Sequence, residues 1–241
     1  MASDDTSVAA TATAADEVDE VDEVDEVDEA DEVDMGDEAP PGVGATLAER
    51  TERSARSRIR RHPERRVPEQ VEAILRAGRV AHIAYAIDGQ PYVLPFTYDY
   101  ADERLYVHAV PGSRTVKTLR AGMAVAVEIT MLDGLIASRD ALNHSMNYRS
   151  VVVFGRAEVI RDDAEKRAIF ERMTERYFPQ RTAGRDYAHA TPKDLHGVEM
   201  LVIPIEEVSA KSRTGGPHGP RDADDTADGS AFVVSLPGLD S

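Results

Sequence analysis

The chain has 241 residues, of which 41% are hydrophobic and 5% aromatic, with no Cys, no Trp and a formal charge of −17. Without cysteine there is no disulfide framework, no thiolate-held zinc or iron–sulfur centre and no Cys nucleophile, so any redox chemistry must come from a cofactor. Of the 45 acidic residues, 17 fall in the first 44 positions, which hold no Lys or Arg, and the other 28 face 28 basic residues; this electrically neutral body is not the net-basic domain expected of a nucleic-acid binder.

Residues 15–34 repeat two acids and one small apolar residue. A period of three matches neither helix nor strand, so no apolar face forms and like charges repel throughout. A disordered acidic tail over residues 1–49 is expected, read either as an interaction segment or as a solvated low-complexity leader. No segment approaches the length of apolar run that spans a membrane, and the acidic start is unlike a signal or transit peptide, which makes the cytoplasm the expected location. Pro40, Pro41, Gly42 and Gly44 mark a linker. The stretch from Arg50 to Arg66 then holds eight arginines in seventeen residues, either a phosphate-seeking arm or a basic partner for the leader.

Pro68 opens a short helix to Ala77, with Val71, Ile74 and Leu75 at helical spacing and Gly78 as its stop. From Arg79 the period becomes two. RVAHIAYAI, the hairpin dipeptide Asp88-Gly89, QPYVLPFTYDY and, after a turn at Ala101 to Glu103, RLYVHAV predict three strands in a meander. Gly112 to Gly122 suits a short helix capped by Ser113. MAVAVEITML supplies a fourth strand, and after a loop of about fifteen residues YRSVVVFGRAEVI, Tyr148 to Ile160, supplies a fifth in which Gly155 permits a bulge or tight bend. Asp162 and Glu165 read as a capping box for a helix from Asp163 to near Arg176. GVEMLVIPIEEVSAK is the sixth strand. The pattern is mainly β: a closed or split barrel of about six antiparallel strands with short helices. It occupies residues 50–216, with 217–241 as a flexible C-terminal tail whose last apolar piece, AFVVSLPGL, returns to dock on the barrel or on a second subunit.

The seven histidines show no metal-ligand spacing, so no metal site is expected, and the chain lacks GxSxG, Walker A and GxGxxG motifs. What it does hold is PGSRTVK, which gathers Ser113, Arg114 and Lys117 at the start of a predicted helix, where free N–H groups and the dipole favour an anion. A capped surface helix with exposed basic residues is the alternative. NYRS, Asn147 to Ser150, opens the fifth strand; were that strand to neighbour the one ending at His108, Arg149 and Ser150 would face the same anion.

The segments GRVAHIAYAIDGQPYVLPFTYDYADERLYVHAVPGSRTVKTLRAG and HSMNYRSVVVFGRAEVIRDDAEKRAIF together resemble the pyridoxamine 5′-phosphate oxidase-like family, in its bacterial flavin-nucleotide-binding and nitroimidazole-resistance-like branch. The resemblance runs from about Thr51 to Pro217. It implies a split β-barrel homodimer with FMN in two clefts at the subunit interface. Under it, Val93, Leu94, Pro95 and Phe96 lie along the isoalloxazine, His108 and Ala109 approach the ribityl chain and phosphate, and Ser113, Arg114 and Lys117 grip the phosphate. Ser150 contacts the ring with Arg149 beside it, and Lys211 and Arg213 reach a flavin from the partner. Vitamin B6 oxidases of the family close their site with C-terminal Trp and Arg, whereas this chain has no Trp. The expectation is therefore an FMN-dependent oxidoreductase passing electrons from a small donor to a small acceptor, and not a true pyridoxamine phosphate oxidase. No catalytic side chain is singled out beyond His144 or Tyr148 as a proton donor. The alternatives are a flavin carrier without turnover, and a barrel holding haem through His108 or His144, or a deazaflavin.

Overall fold

In the computed structural model, described over residues 45–236, the Asp88-Gly89 dipeptide does what its chemistry predicts. Both residues have positive φ, 49° and 78°, as a two-residue turn of the hairpin kind requires. They join β1 (Ala81–Ile87) to β2 (Gln90–Phe96), paired from Ala81↔Phe96 to Ile87↔Gln90. The remaining strands are β3 (Asp99–Ala101), β4 (Arg104–Ala109), β5 (Ala124–Ala137), β6 (Ser145–Arg156), β7 (Glu158–Ile160), β8 (Glu199–Pro204), β9 (Glu207–Arg213) and β10 (Phe232–Ser235). They form two antiparallel sheets. One has the order β2-β1-β5-β6-β9 with β10 attached to β5, and the other has the order β3-β4-β8-β7.

The fold is the split barrel, with ten strands in place of about six. Three runs expected as single strands each break and pass from one sheet to the other. β2 gives way to β3 at Thr97 and Tyr98, β6 to β7 at Ala157, and β8 to β9 at Ile205 and Glu206. At the last break the backbone stays satisfied from both sides, because the Ile205 N–H donates to the Glu103 carbonyl and the Glu206 N–H to the Phe154 carbonyl. Such crossings leave the hydrophobic alternation intact, so nothing in the pattern marks them. The expected three-strand meander is likewise divided: β4 leaves β2 and pairs with β3 and β8.

Between the sheets lies the main core. Ile83, Val127, Ile129, Val151, Val153 and Val208 of the larger sheet meet Leu105, Val107, Leu201 and Ile203 of the smaller one, and α1 (Val71–Ala77) adds Val71, Ile74 and Leu75. α2 (Arg114–Arg120) is capped as expected, the Ser113 hydroxyl accepting from the Val116 N–H. α3 (Asp163–Tyr177), capped by Asp162, covers the other face of the smaller sheet, where Ile169 and Met173 pack on Tyr106, Ile160, Met200 and Val202. A fourth helix, α4 (Pro192–His196), was not expected, although Thr191 and Asp194 form a full capping box and Pro192 opens the first turn. No helix among the described residues is long and apolar enough to cross a membrane.

The expected acidic tail lies outside the described residues up to position 44. The arginine-rich segment that follows runs along the free edge of β9. The Glu52 and Val67 N–H groups donate to the Val208 and Ala210 carbonyls, which covers an otherwise open sheet edge. Much of its charge is spent inside the domain: Arg50 pairs with Glu103, Arg56 with Glu206 and Glu207, and Arg66 with Glu52. Glu207, its side chain only 4% exposed, accepts from the hydroxyls of Ser54 and Ser57 at 2.6 Å and from the Arg56 Nε at 2.8 Å. Burial alone raises a carboxyl pKa, but these donors outweigh it and hold Glu207 below the ordinary carboxylate value. The stability this contributes is complete above the ordinary value and is lost as pH falls through the lowered one. Glu207→Gln is expected to cost about 2 kcal/mol at neutral pH and to flatten the acid limb of a denaturation-midpoint against pH curve; equal slopes in the two proteins would contradict this pinning of the arm.

The C-terminal segment, expected to be flexible with its apolar piece returning to dock, is fastened over residues 217–236. Asp222 accepts from the Ser138 hydroxyl, the Arg139 N–H and the Gly219 N–H, and Arg221 pairs with Asp140 at 2.7 Å. β10 then pairs with β5 from Phe232↔Ala137 to Ser235↔Gly134. β5 accordingly runs on to Ala137 and β6 begins earlier than expected, at Ser145, and the loop between them shortens to residues 138–144.

Candidate functional site

Alternation along β2 decides what Val93 to Phe96 present. Leu94 and Phe96 pack against the main core, so only Val93, 63% exposed, and Pro95 turn their side chains outward. β2 is also an edge strand, with Pro91 and Pro95 in it, and an edge leaves backbone groups without a ladder partner. It offers a planar ligand a shallow apolar surface with backbone polar groups along one side.

α2 stands at the Gln90 end of this strand, and three aromatic contacts fix it there. The Arg114 guanidinium lies 4.0 Å over the Tyr92 ring, Tyr92 stacks on Tyr85 at 5.5 Å, and the Tyr85 hydroxyl is 2.9 Å from the Thr115 Oγ1. Lys117 is three residues after Arg114 and therefore on the same side of the helix. Both cations are exposed, and neither pairs with a carboxylate among the described residues. The structure thus places the expected phosphate grip, Ser113, Arg114 and Lys117, at the Gln90 end of β2 on the side of Tyr92, Leu94 and Phe96, while Val93 and Pro95 turn to the other face of the strand. Tyr85 and Tyr92 complete this assembly, yet in the sequence they carry only the signature of packed strand residues.

The other expected residues divide. Ala109 continues the alternation of Leu105 and Val107 towards the main core, whereas His108 turns the opposite way, beneath α3, with its ring 5.1 Å from Phe170. Its Nδ1 is buried without a hydrogen-bond partner, and burial lowers its pKa, which keeps the ring neutral at physiological pH. Beyond Phe170 a cleft of about 350 Å³ opens between α3 and residues 187–194. His144 is exposed on a turn, its Nδ1 3.3 Å from the Ala141 carbonyl.

Arg149 and Ser150 do not face one anion. β6 lies between β5 and β9, away from β4, and consecutive strand residues point to opposite faces. Arg149 makes a two-pronged bond to Asp133 at 2.6 and 2.9 Å, while the Ser150 hydroxyl donates to the Lys211 carbonyl. Ser150 nevertheless shares the outer face of the larger sheet with Val93 and Pro95. Across that face the register runs Pro95, His82, Glu128, Val152, Ser209, with Thr130, Ser150 and Lys211 in the next row. His82 Nδ1 is 3.3 Å from Glu128 in the middle of it, a titratable pair the sequence did not mark because it joins residues of different strands. β2 and β6 are three strands apart, about 14 Å at the usual ladder spacing. The face therefore separates the two groups of expected residues, one at each side.

Comparison with known proteins follows the same outline. The family model described as pyridoxamine 5′-phosphate oxidase matches residues 68–212. A FAD- and haem-binding protein from Mycobacterium smegmatis is 34% identical, covers 70% of this chain and 81% of its own, and superposes with a TM-score of 0.63. The flavocytochrome Anf3 from Azotobacter vinelandii is 29% identical over 76% of this chain and 85% of its own, with a TM-score of 0.67. An uncharacterised protein of Rhizobium meliloti (strain 1021) is 30% identical over 88 residues, 36% of this chain; the match spans about half (51%) of that relative's length.

Proposed function

The chain belongs to the pyridoxamine 5′-phosphate oxidase family, and on that premise we propose that it is a flavin-binding oxidoreductase of the cytoplasm that passes electrons from a small reduced donor to a small acceptor. The observation that carries this reading is the pair of exposed cations with no carboxylate partner among the described residues, Arg114 over the Tyr92 ring and Lys117 one turn on, at the end of an exposed edge strand. A flavin mononucleotide group has the matching chemistry, a phosphate on a flexible chain and a flat tricyclic ring. Arg114, Lys117 and the Ser113 cap would hold the phosphate, and Val93, Pro95 and the β2 backbone would hold the ring. A bound flavin supplies the hydride and electron transfer, and the protein's part is to orient it and exclude water. Two relatives with usable similarity bind FAD or are named flavocytochromes, which supports a flavin without choosing FMN over FAD.

A homodimer belongs to the proposal. Ser150 and Lys211 lie across the sheet from the β2 strip, and the face between them bears Ala84, Ala126 and Val93, small or apolar residues that a second copy would cover. A flavin on β2 of one subunit would then meet Ser150 of the other. The test is turnover. Reconstituted protein is expected to oxidise reduced nicotinamide or a reduced deazaflavin with a quinone, nitroaromatic or oxygen acceptor faster than free flavin does, and rates equal to those of free flavin would reduce the proposal to a flavin carrier.

A second reading adds haem, and His108 favours it: a neutral imidazole with a buried, unpaired ring nitrogen is competent as an iron ligand. His108 would be the residue holding the iron. A Soret band on haem addition that is lost in His108→Ala, with flavin uptake unchanged, supports this reading, and a band unaffected by that substitution removes it.

A further inference from the structure

At the edge opposite β2, the outer face of β6 and β9 ends in a cationic group beside Tyr148. Tyr148 is paired directly across the ladder with Arg213, and Ser150 with Lys211, so the four side chains project to one side. The arginine-rich arm passes beside them: Arg66 bridges to Lys211, the Lys211 Nζ donates to the Arg61 carbonyl, and Arg65 follows from the same register. Arg213 is aimed by its neighbour, its Nη1 donating to the Asn147 Oδ1 at 3.0 Å. No carboxylate among the described residues pairs with Arg213 or Lys211, and the acid nearest Arg65, Glu64 at 3.6 Å, is shared with His62. Burial, and after it the charge of Arg65, hold Arg213 below the ordinary guanidinium value. Like charges gathered with a single, shared carboxylate among them are what an anionic ligand relieves.

We propose that Arg65, Lys211, Arg213 and Tyr148 form a subsite for the adenylate portion of a dinucleotide, with the cations on its phosphate and the Tyr148 ring against the base. Arginine and lysine suit phosphate oxygens, and a tyrosine beside them gives a nucleobase a flat partner. The proposal deepens the flavin reading and rests on it for its purpose. The ligand chemistry has two sources, the adenylate half of FAD or that of a reduced nicotinamide donor.

Calorimetric titration of the full-length, flavin-free protein with ADP tests the subsite without any turnover. ADP is expected to bind with an affinity that falls as salt is raised, and adenosine to bind at least about tenfold more weakly. K211Q/R213Q is expected to weaken ADP by about tenfold or more with an unchanged unfolding midpoint, and K211R/R213K to keep most of the affinity. ADP that fails to bind, or binds wild type and K211Q/R213Q alike, overturns the subsite. If K211Q/R213Q also lowers the FAD-to-FMN affinity ratio, the tail is that of the flavin. If that ratio holds while the KM for reduced nicotinamide rises at constant kcat, the tail is that of the donor; if neither moves, the dinucleotide assignment falls. ADP binding in a protein that takes up no flavin leaves the subsite standing and overturns the flavin reading instead.

Discussion

Replacing both Arg114 and Lys117 by glutamine is expected to weaken flavin mononucleotide binding by about 100-fold, since two charge-assisted contacts to one phosphate contribute roughly 3 kcal/mol together. The fold has little at stake in either residue. Both are exposed, and α2 is held by the burial of Val116 and Leu119 and by the Ser113 cap, all of which the double substitution leaves in place. The exception is the Arg114 contact over Tyr92, worth about 0.5–1 kcal/mol at an exposed position. A titration of flavin fluorescence gives the affinity, and a urea midpoint within about 1 kcal/mol of wild type shows that the loss is local. Full affinity in the double variant would mean that the phosphate sits elsewhere, and would remove the observation on which the proposed function stands. Riboflavin, which lacks the phosphate, should bind wild type and variant alike.

The second large effect falls on stability. A Cβ on Gly155 would lie 2.3 Å from the Pro204 carbonyl oxygen and 3.1 Å from the Ile203 Cγ2. The obstruction is backbone, and it has no room to give: Phe154 accepts from the Glu206 N–H and pairs across the ladder with Glu207, which ties β6 to the β8–β9 crossing on the same side. Gly155→Ala is therefore expected to cost about 3 kcal/mol or more, at the upper end of what overpacking does. Gly216 serves as the control, with nothing within 4 Å of its added Cβ and an expected change within about 0.5 kcal/mol. Chemical denaturation of the two variants measures both. A Gly155→Ala protein as stable as Gly216→Ala would show that the two sheets do not approach so closely at this crossing.

Gly155 also shows how far the sequence could be read. Its position inside a strand pattern reads as permitting a bulge or tight bend; what the structure contains at Gly155 is a close approach of the β8–β9 crossing. The same pattern did not tell that the chain changes sheet two residues later. Strand alternation reports which residues are buried, and both sheets bury the same faces against one core, so Val151, Val153 and Val159 read as one strand although they lie in two. Local devices were legible: the Asp88-Gly89 turn, the Ser113 and Asp162 caps, the helix beginning at Pro68. The capping box at Thr191 was missed, because its helix is too short for a hydrophobic period to show.

The site divides along the same line. Residues close in sequence, Ser113, Arg114 and Lys117, remain together, and Arg114 reaches β2 through Tyr92. Residues whose meeting depends on pairing between distant strands were not legible. Arg149 carries the basic signal expected of an anion ligand, and its charge is taken by Asp133, sixteen residues away across the β5–β6 ladder. His108 ends a strand as expected, yet the neighbour of that strand is β8 and its side chain lies beneath α3. Tyr148, Lys211 and Arg213 were legible as polar residues of the right chemistry, and only the β6–β9 register makes them one group.

The most direct test of the account is the absorption spectrum of the purified full-length protein eluting from a sizing column after incubation with FMN and, separately, with FAD. Flavin bands co-eluting at the volume of a dimer, and lost when Arg114 and Lys117 are replaced, are the predicted result. A protein that elutes colourless from both incubations would contradict the flavin site on β2 and α2.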